Sequence, residues 1–339
     1  MVEDMHEKLA EMIENEDFMG MAKTPTLLKL IRLQYTSEEA SLALVVTIKG
    51  KKLDELAIHT GIEKGQLKKK LDTMANKGTV WFDPDEQDPT YKAVGMVFPG
   101  LLETGALGNI RFPYSVELIK AIHPVIHEWV EQSLSRLPSG TLPMWPAVAA
   151  LPEDADPSDN LLDRVREYDD WCLATCPCKL SHWLDTPGDH CQHLVETCMP
   201  RGEMGRWCVE YGMARRITTE EAVELLQKFE ADGLVHTGDP KNALCNCCHD
   251  CCPYFISWHQ HGVQVLQRSN YLPDVDGEVC IACSVCADRC PVGAIEVEDI
   301  AVIKGNICIG CGVCVVGCAT EAMRLVKRPE DELLPRPAF

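Results

Sequence analysis

Eight cysteines near the end of the chain fall into two runs of one spacing. Cys280, Cys283, Cys286 and Cys290 are followed by Pro291, and Cys308, Cys311, Cys314 and Cys318 repeat the spacing 28 residues later. A C-x2-C-x2-C-x3-C run in duplicate is the pattern of two [4Fe–4S] clusters in which the fourth cysteine of each run ligates the other cluster. The expected ligands are Cys280, Cys283, Cys286 and Cys318 for one cluster, and Cys308, Cys311, Cys314 and Cys290 for the second. Three thiolates two residues apart let a tight loop wrap three corners of a cubane, and the partner repeat brings the fourth from another direction. Such clusters move single electrons. Disulfides or zinc are the competing uses of cysteine, and the doubled spacing disfavours them.

Repetition extends beyond the ligands. Gly277 matches Gly305, Ala294 matches Ala322, Ile295 matches Met323 and Val297 matches Leu325. Two copies of one unit are expected, related by pseudo-twofold symmetry. Pro291 should end a short helical turn, since proline cannot continue the hydrogen-bond ladder.

Eleven further cysteines lie between Trp171 and Pro253. Cys176, Cys178, Cys191 and Cys198 form one group. Cys245, Cys247, Cys248, Cys251 and Cys252 form a tighter one, while Cys172 and Cys208 stand apart. Four thiolates suffice for a cubane or for zinc, and spacing alone does not choose. Beside a two-cluster module, one or two further [4Fe–4S] clusters are the preferred reading and zinc the alternative. Among the nearby histidines, His190 and His249 are the least ordinary, because each adjoins a cysteine.

Composition sets the surroundings. The 339 residues, 46% of them hydrophobic, allow two or three domains. The first 23 residues are charged and methionine-rich, with no apolar stretch of the kind export needs. No run approaches the ~18 apolar residues of a membrane span. Reduced, metal-binding thiols in the cytoplasm of an anaerobe are therefore expected. With 52 acidic against 32 basic residues the formal charge is −20. That charge favours basic docking surfaces on redox partners over nucleic acid.

The elements that must carry these sites read as α+β. An N-terminal helical extension (1–23) precedes a winged-helix pattern over 24–100. Its helices are expected at Thr24 to Gln34, Ser37 to Thr47, Lys51 to His59 and Glu63 to Lys77, with Gly61 as a turn and Gly78 as a cap. Strands at Thr79 to Phe82 and Tyr91 to Val97 flank a polar loop. Residues 23–79 hold eleven Lys/Arg against six Asp/Glu, a balance of +5, with Lys68, Lys69 and Lys70 on the last helix. DNA binding is one use of such a module, but Asp83, Asp85, Glu86 and Asp88 in the loop would repel phosphate. Docking to a protein partner is the other use. A helical connector and linker (101–158) follows, with Pro124 breaking its helix and prolines 143, 146, 152 and 157 marking a boundary. The cysteine-rich domain (159–270) is expected to be mainly helical, opening with a helix from Asn160 to about Trp171. It also carries a helix capped by Thr218 and Glu221 and stopped by Gly233. The two-cluster ferredoxin domain spans 271–328, and 329–339 is a tail.

The run CPCKLSHWLDTPGDHCQHLVETC, the segment ITTEEAVELLQKFEADGLVH and the motif CNCCHDCC, ahead of the doubled cysteine runs, resemble the 4Fe–4S ferredoxin-type iron–sulfur proteins of anaerobes. The resemblance is specific from Cys176 to Cys318 and loose before Trp171. It implies a winged-helix-like N-terminal part and electron transfer as a subunit or accessory of a larger low-potential oxidoreductase. In that family the second motif usually carries one more cysteine where this chain has Asp250. A redox-sensing regulator that reads DNA is the competing function. There is no G-x-G-x-x-G or Walker-type loop for a nucleotide.

Overall fold

The computed structural model describes residues 4–97, 99–104, 116–188 and 191–334, and within them the protein is α+β. No helix among the described residues is long and apolar enough to cross a membrane. His190 and residues 105–115 of the expected connector lie outside the described residues.

The chain forms two units. The first comprises Met1–Arg136, Cys172–Cys191 and Pro200–Arg216. Its helix starts are set by side chains that accept from otherwise unpaired N–H groups. Thr24 accepts from Leu27 ahead of Pro25–Gln34, Thr36 and Glu39 form a reciprocal capping box on Ser37–Val46, and Glu63 accepts from Gln66 ahead of Lys64–Lys77. Gly61 and Gly78 stop their helices with φ of 67° and 80°, left-handed backbone that suits glycine. Leu27, Leu30, Ile31, Leu67 and Leu71 are fully buried, which is what orders these helices. Three strands run in the order Lys51–Lys52, Thr90–Ala93, Val80–Trp81, with antiparallel pairing. Lys51 and Lys52 thus pair with Tyr91 and Thr90, and the helix expected from Lys51 begins at Leu53 instead.

Pro124 does not break its helix. Val116–Gln132 runs through it, and Ile119, Ile122, Val125, Ile126 and Trp129 bury one face along its length. That burial offsets the one hydrogen bond the proline cannot make. Strands Cys172–Thr175 and Ala214–Arg216 pair antiparallel in the same unit, and helix Gly202–Glu210 precedes the second of them.

The second unit comprises Leu137–Trp171, Gln192–Met199 and Ile217–Phe339. The helix expected from Asn160 to Trp171 is only Leu161–Val165 long. Its remainder turns back: the Trp171 indole donates to the Val165 carbonyl, and the Trp171 carbonyl accepts from Ile217 N. Backbone groups committed to those partners cannot continue a helix. Four strands of this unit run in the order Met144–Trp145, Val235–Thr237, Ala243–Cys247, Glu196–Pro200, so the cysteine-rich region holds more sheet than its sequence indicated. Thr218 caps Thr219–Asp232 by accepting from Glu221 N, and Gly233 ends it with φ 90°.

The C-terminal repeat is the most regular part of this unit. Strand Tyr271–Val275, helix Val285–Asp288 and strand Ile295–Val297 recur as Ala301–Ile303, Val313–Val316 and Met323–Lys327. Each copy lends one strand to each of two antiparallel pairs. Pro273 stands opposite Leu325, and its counterpart Ala301 stands opposite Val297, the counterpart of Leu325. The registers are interchanged by the 28-residue shift, which is the signature of a pseudo-twofold axis. Backbone with positive φ recurs as well: Ala282 and Gly310, Ser284 and Gly312, Gly293 and Glu321.

Candidate metal centres

The loops ahead of the two short helices carry the cysteines. Cys280, Cys283, Cys286 and Cys318 line one cavity with Val297, Ala301 and Met323 as its apolar wall. Three of these cysteines come from the first run and one from the second. Around the other end, burial pushes the Cys308, Cys311 and Cys314 thiols up, and the neighbouring Cys290 adds to the rise in all three. Cys286 acts on Cys314, and both sit in one apolar cluster with Ile295, Ala301 and Met323.

Donors point at the sulfurs from the backbone. Ala294 N donates to Cys290 Sγ at 3.2 Å, and the equivalent Ala322 N donates to Cys318. Ala287 N donates to Cys286 and its counterpart Val315 N to Cys314, while Gly310 N reaches Cys308 Sγ at 3.4 Å. Gly310 itself has positive φ, and Ala294 and Ala322 each follow a positive-φ residue, Gly293 and Glu321. At Cys318 burial works to raise the thiol, but Thr320 Oγ1 and the N–H groups of Thr320, Ala322 and Met323 outweigh it, and its pKa falls. Buried sulfurs ringed by N–H donors suit thiolates whose charge is shared with a metal cluster. The residues fit the group.

Two arginines hold these loops, and sequence reasoning passed over both. Arg328 is buried, and its guanidinium donates to the carbonyls of Ser269 (3.2 Å) and Cys308 (2.7 Å). Arg289, beside Cys290, donates to the Val313, Ala231 and Glu230 carbonyls, tying the repeat to the end of helix Thr219–Asp232. Glu230 itself is buried. Its carboxylate accepts from Val148 N and Ala149 N and contacts His236, whose other ring nitrogen meets Asn246. Ala147 N, next to that turn, donates to the Cys311 carbonyl at 2.8 Å. A polar chain therefore connects the strand of Cys245 and Cys247 to the second cysteine loop. Singly placed Arg and Glu give no spacing signal, so no pattern could have found them.

The middle cysteines divide between the units. Cys176 and Cys178 open helix Pro177–Asp185 in the first, which also holds Cys191. Cys172 and Cys208, apart in sequence, are both buried in that unit. Burial and then the neighbouring Cys172 raise the Cys208 thiol. The second unit holds Cys198 on strand Glu196–Pro200, Cys245 and Cys247 on one face of Ala243–Cys247, and Cys252 at the start of helix Pro253–His261. Cys248 and Cys251 face each other with sulfurs 3.2 Å apart. His249 is held towards its protonated form by the Asp250 carboxylate.

Residues 273–296 match the model of a family described as a 4Fe-4S binding domain. No curated protein matches the chain, and no solved structure does. The matched segment contains the first cysteine run, whose three leading thiols share a cavity with Cys318. The chain is an iron–sulfur protein with at least one [4Fe–4S] cluster and an electron-transfer role.

Proposed function

We propose that the chain relays single electrons through two ferredoxin-type [4Fe–4S] clusters and one or two more in its middle region, as a subunit or accessory of a larger low-potential oxidoreductase of anaerobes. The observation that carries this is the interchange of registers across the C-terminal repeat, together with the cavity shared by Cys280, Cys283, Cys286 and Cys318. On this reading those four cysteines hold one cluster, and Cys308, Cys311, Cys314 and Cys290 hold the second, in a bacterial two-cluster ferredoxin fold. Each cluster, when bound, takes up and gives out one electron. The neighbouring Cys286 and Cys314 keep the two sites close.

The first site is the one a redox partner reaches. Cys283 is exposed, Ile281 beside it is 67% exposed, and Val279 and Val285 stand out of the same loop. The second site is enclosed, with Cys311 and Cys314 buried. Partners with basic rims suit the acidic chain. The remaining middle ligands are Cys176, Cys178, Cys191, Cys198, Cys245, Cys247, Cys248, Cys251 and Cys252, with zinc as the alternative occupant. A cytoplasmic setting follows from thiols kept reduced.

The winged-helix reading of residues 24–100 is retained as a docking module. Lys68 pairs with Asp72, Lys70 with Glu38, Lys64 with Asp54 and Lys77 with Glu39. Most of these pairs are exposed and weak, and it is the acidic charge of the chain as a whole that makes a DNA-reading regulator the weaker use.

Anaerobic purification from the native host with iron, sulfide and zinc analysis tests the proposal. About eight irons correspond to two cubanes of four, and about twelve or sixteen to three or four. Co-purifying oxidoreductase subunits would support the relay. A colourless preparation without sulfide, or tight salt-dependent binding to a specific DNA sequence, would overturn it.

A further inference from the structure

We propose that His193, His249 and Asp250 hold one divalent first-row transition-metal ion of the zinc class, at a site separate from every cysteine cluster. Their donor atoms all lie within 4.8 Å of one another. In a tetrahedral site with bonds of about 2.0–2.1 Å, ligand atoms stand about 3.4 Å apart. Small rotations of side chains that are only partly buried close that gap.

A second carboxylate is already in the position that orients a metal-bound histidine. Asp232 Oδ2 meets His193 Nδ1 at 3.2 Å, and Leu194 N donates to the same oxygen at 3.1 Å. The backbone bond fixes the carboxylate, and the carboxylate fixes the ring. With Nδ1 engaged, His193 is left to present Nε2, the arrangement of a carboxylate–histidine–metal triad. His249 Nε2 and Asp250 Oδ1 are ion-paired at 2.8 Å, and this pair opens to about 3.4 Å to take the ion between them.

The loop sorts its donors by chemistry. Cys248 and Cys251 turn inward and are each 2% exposed, while His249 and Asp250 between them turn outward, their side chains 41% and 30% exposed. Four consecutive residues thus offer soft sulfur to one side and nitrogen and oxygen to the other. Two imidazoles and a carboxylate suit a borderline divalent ion better than they suit a cubane. Three protein ligands leave a fourth position, and the exposure of His249 leaves room for water or a small anion there.

The test uses the full chain, loaded with iron and sulfide anaerobically and then dialysed with zinc at neutral pH. Zinc-edge X-ray absorption reports the ligand type directly, because nitrogen and oxygen lie at about 2.0–2.1 Å and sulfur at about 2.3 Å. The expected result is about one tightly held zinc with a nitrogen/oxygen shell. H193Q and H249Q should abolish it without changing iron content. D232N, which removes only the orienting charge, should weaken zinc binding by about 10- to 100-fold. A sulfur shell, no retained zinc, or undiminished affinity in D232N would each overturn the site. Should either histidine variant lose iron as well, the wild-type shell and D232N still decide.

Discussion

Gly310 holds the same left-handed backbone that Ala282 holds 28 residues earlier, with φ of 69° and 51°. The two loops have one shape, yet only the second is closely packed. A Cβ on Gly310 would stand 2.2 Å from Ser269 Oγ and 2.3 Å from the Tyr271 carbonyl. A left-handed conformation costs a non-glycine residue about 1–2 kcal/mol, so strain alone does not separate the sites. Crowding does. Gly310→Ala should lose iron from the second site, while Ala282→Gly should keep both clusters. Iron per chain and the cluster spectrum check this, and full iron content in Gly310→Ala would refute the loop geometry.

The proposed crossing of the fourth ligand bears on Cys318 and Cys290. Cys318→Ala should alter the cluster of the first run and leave that of the second run intact. Cys290→Ala should do the reverse. Magnetic resonance of the reduced protein distinguishes them when each variant is compared with Cys283→Ala and Cys311→Ala. If Cys318→Ala resembles Cys311→Ala instead, each run keeps its own fourth ligand.

Arg328 is buried, and its donors satisfy the Ser269 and Cys308 carbonyls. An apolar replacement leaves both without partners, at about 1–3 kcal/mol each. Arg328→Met should therefore destabilise the C-terminal repeat by about 2–5 kcal/mol and speed loss of iron to a chelator. Arg328→Lys, which cannot span both acceptors, should fall between. A chelation rate equal to the wild type in Arg328→Met would exclude a clamping role.

In the first unit, Arg206 grips Asp83 with two nitrogens, one at 2.9 Å, and holds the carboxyl below its ordinary pKa. A depressed folded pKa means the contribution is complete above the unfolded value of about 4 and is lost as pH falls through the lower folded value. Asp83→Asn should therefore cost about 1–2 kcal/mol at neutral pH. The gap from wild type should stay constant between pH 7 and pH 5. Hydrogen exchange in residues 80–93 reads the difference, and a gap that shrinks over that range would contradict the ionic origin.

The sequence by itself determined the chemistry of the tail. Doubled spacing singles out eight candidate ligands, a 28-residue period predicts two copies, and Thr24, Thr36, Gly78 and Gly233 mark helix ends because caps and left-handed stops are local. It misjudged Pro124 and the stretch from Asn160 to Trp171, where partners distant in sequence decide the outcome. A buried face outweighed one missing hydrogen bond at Pro124, and the Trp171 carbonyl was claimed by Ile217. Only tertiary structure brought Cys172 to Cys208 and set Arg289, Arg328 and Glu230 around the second cysteine loop. The reason is physical. Spacing encodes contacts within a turn or a repeat, whereas a single side chain that closes a long loop leaves no period to read.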